Sequence, residues 1–253
     1  MNSLVTAGIV LGCALGAAVA GMLVARRLPQ HHLSSESRDV VKLGLGVIAT
    51  LLALVLGLLV ASSKATYDAQ DNAVKQLATD ISLLDRFLAS YGPETKELRE
   101  QLREIATITI ERLWPDANPR VGDLAPDAAR EAGDLFYSNV AELQPTTETQ
   151  RALKARAMDC IAELAKTRYS MYTHKESSVP FPFLVVLALW LITLFAGYGL
   201  LAPRNPTIIA LLIVCAVSIS AALYLILEMG RPFAGVIQVS SAPIQQALSK
   251  VGK

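Results

Sequence analysis

The sequence predicts an all-α fold: four transmembrane helices with a membrane-proximal antiparallel helical bundle inserted between spans two and three. Of its 253 residues, 53% are hydrophobic and only 18% are charged, whereas soluble domains carry about 25% charged residues. Charge is absent from four windows, Leu4–Ala25, Leu43–Ser63, Val179–Pro203 and Asn205–Leu227. Each window is long enough to cross about 30 Å of hydrocarbon at about 1.5 Å per residue. Between the second and third windows, apolar residues instead recur at amphipathic helical spacing.

The first window has an alternative interpretation, a cleaved signal peptide. The small residues of ALGAAVA before Gly21 resemble a cleavage site. A signal peptide carries its positive charge before the apolar segment, but here Arg26 and Arg27 follow that segment. A retained membrane span is therefore the favoured interpretation.

Small residues recur at every fourth position in the first two spans. They are Gly8, Gly12, Gly16 and Ala20 in the first span, and Ala49, Ala53, Gly57 and Ala61 in the second. Such a stripe lets two helix backbones approach closely and gain dispersion contacts that lipid does not match. The stripes predict either that spans one and two pack together within one subunit or that a stripe meets a neighbouring subunit.

The second span is predicted to continue as one helix into the aqueous domain. No proline interrupts Leu43–Tyr91, and Gly92-Pro93 supplies an end. An apolar seam repeats in threes and fours along the second half, at Tyr67, Val74, Leu77, Ile81, Leu84, Leu88 and Tyr91. This pattern is typical of an amphipathic helix that faces other helices.

Three more amphipathic helices are predicted, at Glu94–Leu113, Asp127–Leu143 and Thr147–His174. Each is bounded by proline or by polar residues that favour a helix start. Four amphipathic helices in succession predict an antiparallel bundle.

The predicted domain division follows from these elements. Residues 1–63 hold spans one and two, residues 64–176 the extramembrane bundle, and residues 177–253 spans three and four with a C-terminal interfacial segment. An even number of spans places the N-terminus, the bundle and the C-terminus on one side. The basic residues near the span ends leave open whether that side is cytoplasmic.

The end of the fourth span forms a candidate functional corner, made of Glu228, Arg231, Pro232, Phe233 and Gly235. It is either an ion-binding corner or a plain helix stop. Glu228 is placed at the bilayer edge, where a charge costs little compared with about 2.5–3.5 kcal/mol reported for a charge at mid-span. Gly230 and Pro232 favour a helix end, and Gly230 is expected to form a left-handed cap.

Apolar residues return after this corner. Ile244, Leu248 and Val251 mark one face of a short helix that begins at Pro243. This helix is expected either to lie along the membrane surface or to dock on the bundle.

His31 and His32 form the only adjacent histidine pair. A zinc site needs three or four ligands, and the remaining histidine, His174, is predicted on the opposite side of the membrane. We expect an interfacial loop rather than a metal centre, and no cofactor.

Several function classes are disfavoured by the sequence. It has no glycine-rich phosphate loop, nucleophile elbow or HExxH motif, so an enzyme is not expected. Its net charge is +1 and its basic residues are scattered, so nucleic acid is not an expected partner.

Four stretches carry a family resemblance: RRLPQHHLS, VVKLGLGVIATLLALVLGLLVASSKATYDAQ, LLDRFLASYGPET and LEMGRPFAGVIQVS. Over nearly its full length the chain resembles an uncharacterised bacterial multi-pass membrane family with a bestrophin-like domain, a domain of unknown function.

The more distant similarity to bestrophins implies two spans, a helical region, two more spans and a Pro-Phe-Gly-like corner. It also implies a pentameric anion channel, with the bundle in the cytoplasm and a calcium-binding belt near the corner. The chain departs from that pattern at Gly230, where an acidic residue is usual, and no acidic cluster follows Phe233. A bound calcium ion is therefore not expected.

Two functions follow as hypotheses. The first is an oligomeric bestrophin-like channel for small ions in the inner membrane, with anions favoured by the resemblance alone. The alternative is a non-conducting scaffold or signalling subunit whose helical bundle binds another protein. The expected partners are the lipid bilayer, further copies of the chain in a homo-oligomer and, under the alternative, a protein at the bundle.

Overall fold

The computed structural model describes residues 3–29, 34–114, 128–173, 181–203 and 205–252. Within these ranges the chain is helical and contains no strand. The predicted all-α fold class is confirmed.

Eight α-helices lie within the described ranges. They are α1 (Ser3–Arg27), α2 (Ser35–Tyr91), α3 (Lys96–Leu113), α4 (Ala128–Ala141), α5 (Glu148–Thr173), α6 (Phe181–Leu201), α7 (Pro206–Met229) and α8 (Ala242–Leu248). Among them, α1, α2, α6 and α7 are long and apolar enough to cross a membrane. The four predicted spans are therefore confirmed as helices.

The prediction of one continuous second helix is also confirmed. α2 has 57 residues and ends at Tyr91, and Pro93–Thr95 form a short 3-10 turn before α3. The buried Thr95 hydroxyl lies within hydrogen-bond distance of the carbonyls of Leu88 and Gly92. The Thr95 amide donates to the Gly92 carbonyl at 3.2 Å, so the single hydroxyl proton is available for the Leu88 carbonyl, which the end of α2 would otherwise leave without a partner.

The chain folds into two compact units that do not follow sequence order. The first combines residues 1–66 and 178–230, and the second combines residues 67–177 and 231–253. All four spans therefore contribute to the first unit, and the segment after α7 belongs to the second. The division predicted above follows the sequence and stays a prediction.

In the first unit, α1 packs against α6 and α7. The core includes Ala14 and Ala18 from α1, Leu191 and Phe195 from α6, and Ala216 from α7, each almost wholly buried. Alanines on α1 against larger residues on α6 fill the space between two closely spaced helices.

The backbones of α1 and α6 approach closely where the two helices cross. A Cβ added to Gly21 would overlap the carbonyl oxygen of Ala196, and one added to Gly199 would overlap the carbonyl oxygen of Ala18. Both overlaps involve backbone atoms, which cannot swing away as a side chain can. The crossing therefore requires glycine at Gly21 and Gly199, residues that the predicted stripes do not contain.

In the second unit, the second half of α2 packs with α3, α4, α5 and α8. Two apolar clusters form its core: one includes Leu77, Leu113, Trp114, Met171, Phe233, Val239, Ile244, Ala247 and Val251, and the other includes Leu84, Leu88, Leu98, Leu102, Phe136, Val140 and Ala157. The amphipathic seam predicted on α2 supplies the centre of both clusters.

The short helix α8 docks on the helical unit. Ile244 is fully buried and Val251 is 2% exposed, and both lie in the cluster that contains Trp114. Of the two alternatives for this segment, the structure therefore favours docking, because the apolar face that a membrane surface would need is covered by protein.

The glycine crossing generates a stability prediction. Gly199→Ala should lower the stability of the detergent-solubilised protein by about 1–3 kcal/mol, because overpacking against backbone cannot relax easily. The melting temperature, followed by tryptophan fluorescence, measures the effect. Gly44→Ala is the matched control, since a Cβ there meets nothing within 4 Å. Equal melting temperatures for the two variants would contradict the crossing.

Candidate functional site

The predicted corner after α7 is built around an aromatic contact in the second unit. The rings of Trp114 and Phe233 meet edge to face, with centroids 5.2 Å apart and planes at 85°. Trp114 is 4% exposed and Phe233 is 2% exposed. Such a pair stabilises by roughly 0.5–1.5 kcal/mol beyond the burial of its area.

Hydrogen bonds close the chain after Pro232 into a loop. The Val239 amide donates to the Pro232 carbonyl at 2.7 Å. The Trp114 indole Nε1–H donates to the Val239 carbonyl at 2.7 Å, and the Tyr67 hydroxyl donates to the Gln238 carbonyl at 3.2 Å. Side chains from α2 and from the end of α3 therefore hold this loop.

The backbone of this corner corrects one detail of the sequence prediction. Gly230 has φ −69° and ψ −4°, a right-handed conformation, so the predicted left-handed cap at this residue is wrong. The left-handed residue is Gly235, with φ 96°. A residue with a side chain would be strained there, which explains a glycine at the turn of the loop.

The candidate corner residues have different environments. Pro232 and Phe233 are buried, whereas Arg231 and Gly235 are exposed. Glu228 is 4% exposed and lies in α7, within the first unit. The helix ends at Met229, as a helix stop requires, and a functional role for these residues stays a prediction.

The described residues contain no group of three or more His, Cys, Asp or Glu side chains able to hold a metal ion. His31, His32 and His174 lie outside the described residues, so the predicted interfacial loop is not characterised.

A buried ion pair lies elsewhere in the second unit. Arg99 binds Asp85 through two hydrogen bonds, Nε to Oδ1 at 2.7 Å and Nη2 to Oδ2 at 3.0 Å. The two side chains are only 15% and 13% exposed. The Gly252 amide also donates to Asp85 Oδ1 at 3.3 Å. One carboxylate therefore joins α2, α3 and the segment after α8.

A second buried carboxylate, that of Asp80, has no ion pair of this kind with any residue that the structure describes. Asp80 is 5% exposed and accepts a hydrogen bond from Gln76 Nε2 at 2.8 Å through Oδ1. Its Oδ2 is buried and has no hydrogen-bond partner within the described part of the chain. Burial raises the pKa of Asp80 above its ordinary value of 3.8, the Gln76 hydrogen bond lowers it, and the charge of Glu163 raises it further.

Cys160 lies beside this carboxylate. Its Sγ donates to the main-chain carbonyl of Asp80 at 3.3 Å. Burial, with the charge of Asp80 as a smaller cause, raises the pKa of the Cys160 thiol to about 11. The thiolate is the reactive form of cysteine, so Cys160 is a poor nucleophile at neutral pH and serves as a core residue.

The part of α2 in the first unit carries an exposed face of small residues. The face consists of Gly46, Thr50, Ala53, Gly57 and Ala61, all exposed, and at about 3.6 residues per turn it covers roughly 80° of the helix. The adjacent face carries large apolar side chains instead, including Leu54 and Leu58, which are 71% and 68% exposed. We call the first of these the small-residue face of α2.

The predicted stripes overlap this face in part. Ala53, Gly57 and Ala61 belong to it, whereas Ala49 is half-buried. In α1, the stripe residues Gly8, Gly12, Gly16 and Ala20 are all exposed, and a Cβ added to any of these three glycines would meet nothing within 4 Å. Within the described chain, the α1 stripe is thus free for a neighbour.

Solved structures share this fold. A mutant of a bacterial bestrophin homologue from Klebsiella pneumoniae matches with a TM-score of 0.67 and 14% identity, over 94% of this chain and 96% of that chain. A second mutant of the Klebsiella pneumoniae homologue gives a TM-score of 0.68 and 11% identity over 95% and 96%. A crystal structure described as a membrane protein gives 0.68 and 13% over 96% of each chain.

The sequence itself matches the bestrophin-like domain over residues 12–244. The chain therefore belongs to the bestrophin-like family, and the suspected resemblance is confirmed. It is a membrane protein with a helical bestrophin fold. No curated protein matches the sequence.

Sequence reasoning missed the residues that hold the second unit together. The sequence predictions above assign no role to Trp114, Asp85 or Arg99. Trp114 lies 119 positions before Phe233 in the chain, so no local spacing connects them. The bulk of Trp114 at the end of a predicted amphipathic helix was the one available signal of a buried contact.

Removal of the Arg99 charge tests the buried pair. Arg99→Gln should lower the free energy of unfolding by about 3 kcal/mol, because it leaves the Asp85 carboxylate buried without its cation. Lys166→Gln breaks an exposed pair with Glu163 and should cost less than about 1 kcal/mol. Denaturant unfolding in detergent, followed by circular dichroism, compares the two. If the two variants lost a similar free energy of unfolding, the buried pair would contribute no more to stability than the exposed pair.

Asp80 generates a pH-dependent prediction. Because its pKa is raised in the folded protein, the charged carboxylate lowers stability, and this cost grows as the pH rises above about 3.8. Asp80→Asn should therefore be roughly 1 kcal/mol more stable than the wild type near pH 7.5 and about equal to it near pH 4. Thermal unfolding at the two pH values measures the difference. Asp159→Asn, at an exposed carboxylate of α5, is the control, and a destabilised Asp80→Asn at neutral pH would refute the argument.

Proposed function

We propose that this protein is a homo-oligomeric channel of the inner membrane that passes small ions, with anions favoured by the resemblance to bestrophins. The observation that supports this function best is the exposed small-residue face of α2. The bestrophin fold and membership of the bestrophin-like family support the same class of function.

The small-residue face is unfavourable if it meets only lipid. Glycine and alanine make few dispersion contacts with acyl chains, whereas leucine on the adjacent face makes many. Small residues in a membrane helix are favoured where another helix approaches closely or where room is needed for water and ions. An oligomer with α2 nearest its axis would provide this room for water and ions.

The chemistry of this face matches an ion path with little charge. The span section of α2, Leu43–Ser63, has no charged residue. The Thr50 hydroxyl donates to the Gly46 carbonyl of its own helix at 2.9 Å, and its oxygen can still accept a hydrogen bond from water. Pore width and hydroxyl dipoles would then set selectivity, and apolar positions along the path could gate by dewetting.

The exposed stripe of α1 gives each subunit a surface for its neighbour. Gly8, Gly12 and Gly16 leave a shallow groove that a helix of the next subunit can enter. A homo-oligomer therefore buries the α1 stripe and leaves the small-residue face of α2 for the axis.

A paired substitution tests the assignment of the two α2 faces. Ala53→Phe places a large ring on the small-residue face and should lower single-channel conductance by about tenfold or more by narrowing the path. Leu54→Phe places the same ring on the adjacent exposed face and should leave conductance nearly unchanged. Purified variants in planar bilayers give the measurement, after size-exclusion chromatography with light scattering has established that both form the same oligomer.

Two outcomes would oppose the channel function, and a third would oppose the assignment of the small-residue face to the ion path. A well-folded oligomer that gives silent bilayers would favour the non-conducting scaffold. A monomer in mild detergent and in lipid discs would remove the central path. Equal block by Ala53→Phe and Leu54→Phe would show that the small-residue face does not line it.

A further inference from the structure

A cavity of about 240 Å³ lies inside the second unit, among α2, α3, α4 and α5. Each of the four helices contributes buried apolar side chains to its wall. They are Leu77 and Ile81 of α2, Leu102 and Ala106 of α3, Phe136 of α4 and Ile161 of α5, each at most 8% exposed. These residues come from both apolar clusters of the unit, so the cavity is lined by the core itself.

The size and the wall of this cavity resemble those of a cavity that binds apolar molecules. Protein cores contain few voids larger than a water molecule. An engineered cavity of about 150 Å³, lined by leucine, isoleucine and phenylalanine, stays dry and binds benzene or xenon. The cavity of this protein is larger, has the same kinds of residue in its wall, and includes an alanine, Ala106, where a larger side chain would take up part of the space.

The polar groups of the lining favour neither water nor a charged ligand. The Thr109 hydroxyl donates its proton to the Ile105 carbonyl of its own helix at 2.8 Å. Arg168 already interacts with another group of the protein, and Asp134 is exposed to solvent. A buried water molecule needs two to four polar partners, and a charge buried without a partner is costly. The wall therefore favours an uncharged, apolar occupant.

We propose that this cavity binds a small neutral apolar molecule, of about the size of one aromatic ring with a short alkyl substituent. The ligand supplies Leu77, Phe136 and Ile161 with dispersion contacts that the gap denies them. Ligand sites are mostly apolar pockets of this kind. The site lies within the second unit, whereas the ion path is assigned to the part of α2 in the first unit, so it adds a ligand to the proposed function.

The test uses toluene as the probe and the full-length protein in phosphatidylcholine lipid discs. Toluene is delivered as vapour at a set activity, so its partition into the lipid does not change its activity at the protein. Isoleucine methyl groups labelled with ¹³C report binding by NMR. The methyl signals of Ile81, Ile105 and Ile161, which line the cavity, should shift and saturate. The signal of Ile213, an exposed residue of α7, should show no saturation, because toluene reaches it only by partition into lipid.

A charged analogue tests the chemistry of the site in the wild-type protein. Benzoate has the same ring with a carboxylate in place of the methyl group. It should bind at least about tenfold more weakly than toluene, because the cavity offers its charge no available partner. This comparison does not depend on the folding of any variant.

A cavity-filling variant tests the location. Ala106→Leu places a larger side chain in the cavity and should weaken toluene binding by about tenfold or more. Ala155→Leu makes the same change at an exposed alanine of α5 outside the cavity lining and should alter binding less than about twofold. Circular dichroism melts establish that each variant is folded.

The proposal is overturned by any of three results. These are no saturable shift of the cavity isoleucines in the wild type, benzoate binding as tight as toluene binding, and unchanged toluene binding in a folded Ala106→Leu variant. If Ala106→Leu does not fold, the two wild-type measurements decide. Since none of these measurements involves ion flux, their failure leaves the channel function untouched, and a silent bilayer leaves the ligand site untouched.

Discussion

The inability of lipid to hydrogen-bond a peptide group constrains this protein more than any other interaction. Inside hydrocarbon every N–H and C=O must find a partner in its own segment, so an uncharged window of some twenty residues becomes a helix. α1, α6 and α7 are of this kind, and α2 continues the same hydrogen-bond ladder to Tyr91. Once the helices exist, side-chain size decides what each face meets. Glycine at Gly21 and Gly199 brings two backbones together, and large apolar residues on α2 face outward.

The second unit buries polar groups in a small protein core. Asp85 receives an arginine fork and a main-chain amide, so its burial is compensated. Asp80 receives one amide hydrogen bond and keeps a buried oxygen without a described partner. The two carboxylates lie five positions apart on α2, yet among the described side chains a cation pairs with Asp85 and none pairs with Asp80. Local sequence does not reveal this difference, because the cation comes from α3.

The sequence predicted what depends on neighbours along the chain. Uncharged windows, three-four apolar spacing and the Gly92-Pro93 end placed most helix bounds to within a few residues, because helix hydrogen bonds are local. The start of α2 is the exception, since α2 begins at Ser35, eight residues before its uncharged window. Contacts between distant segments were not predictable in this way. Trp114 with Phe233 and Gly21 with Ala196 need knowledge of which helices are neighbours in space. Four-residue spacing identified faces of small residues on α1 and α2. It did not identify Gly21 and Gly199, the glycines where α1 packs against α6.

The place of residues 233–251 in the core has a consequence for biosynthesis. Phe233, Val239, Ile244 and Val251 fill the cluster around Trp114, yet the ribosome makes them after the last membrane span. Until then the nascent helical unit exposes the apolar surface that they later cover, and such surface favours aggregation and chaperone binding. Completion of this unit must therefore follow translation of every span. A premature stop codon after Met229 would yield a polypeptide with all four spans but an unfinished partner unit, a natural substrate for membrane quality-control proteases.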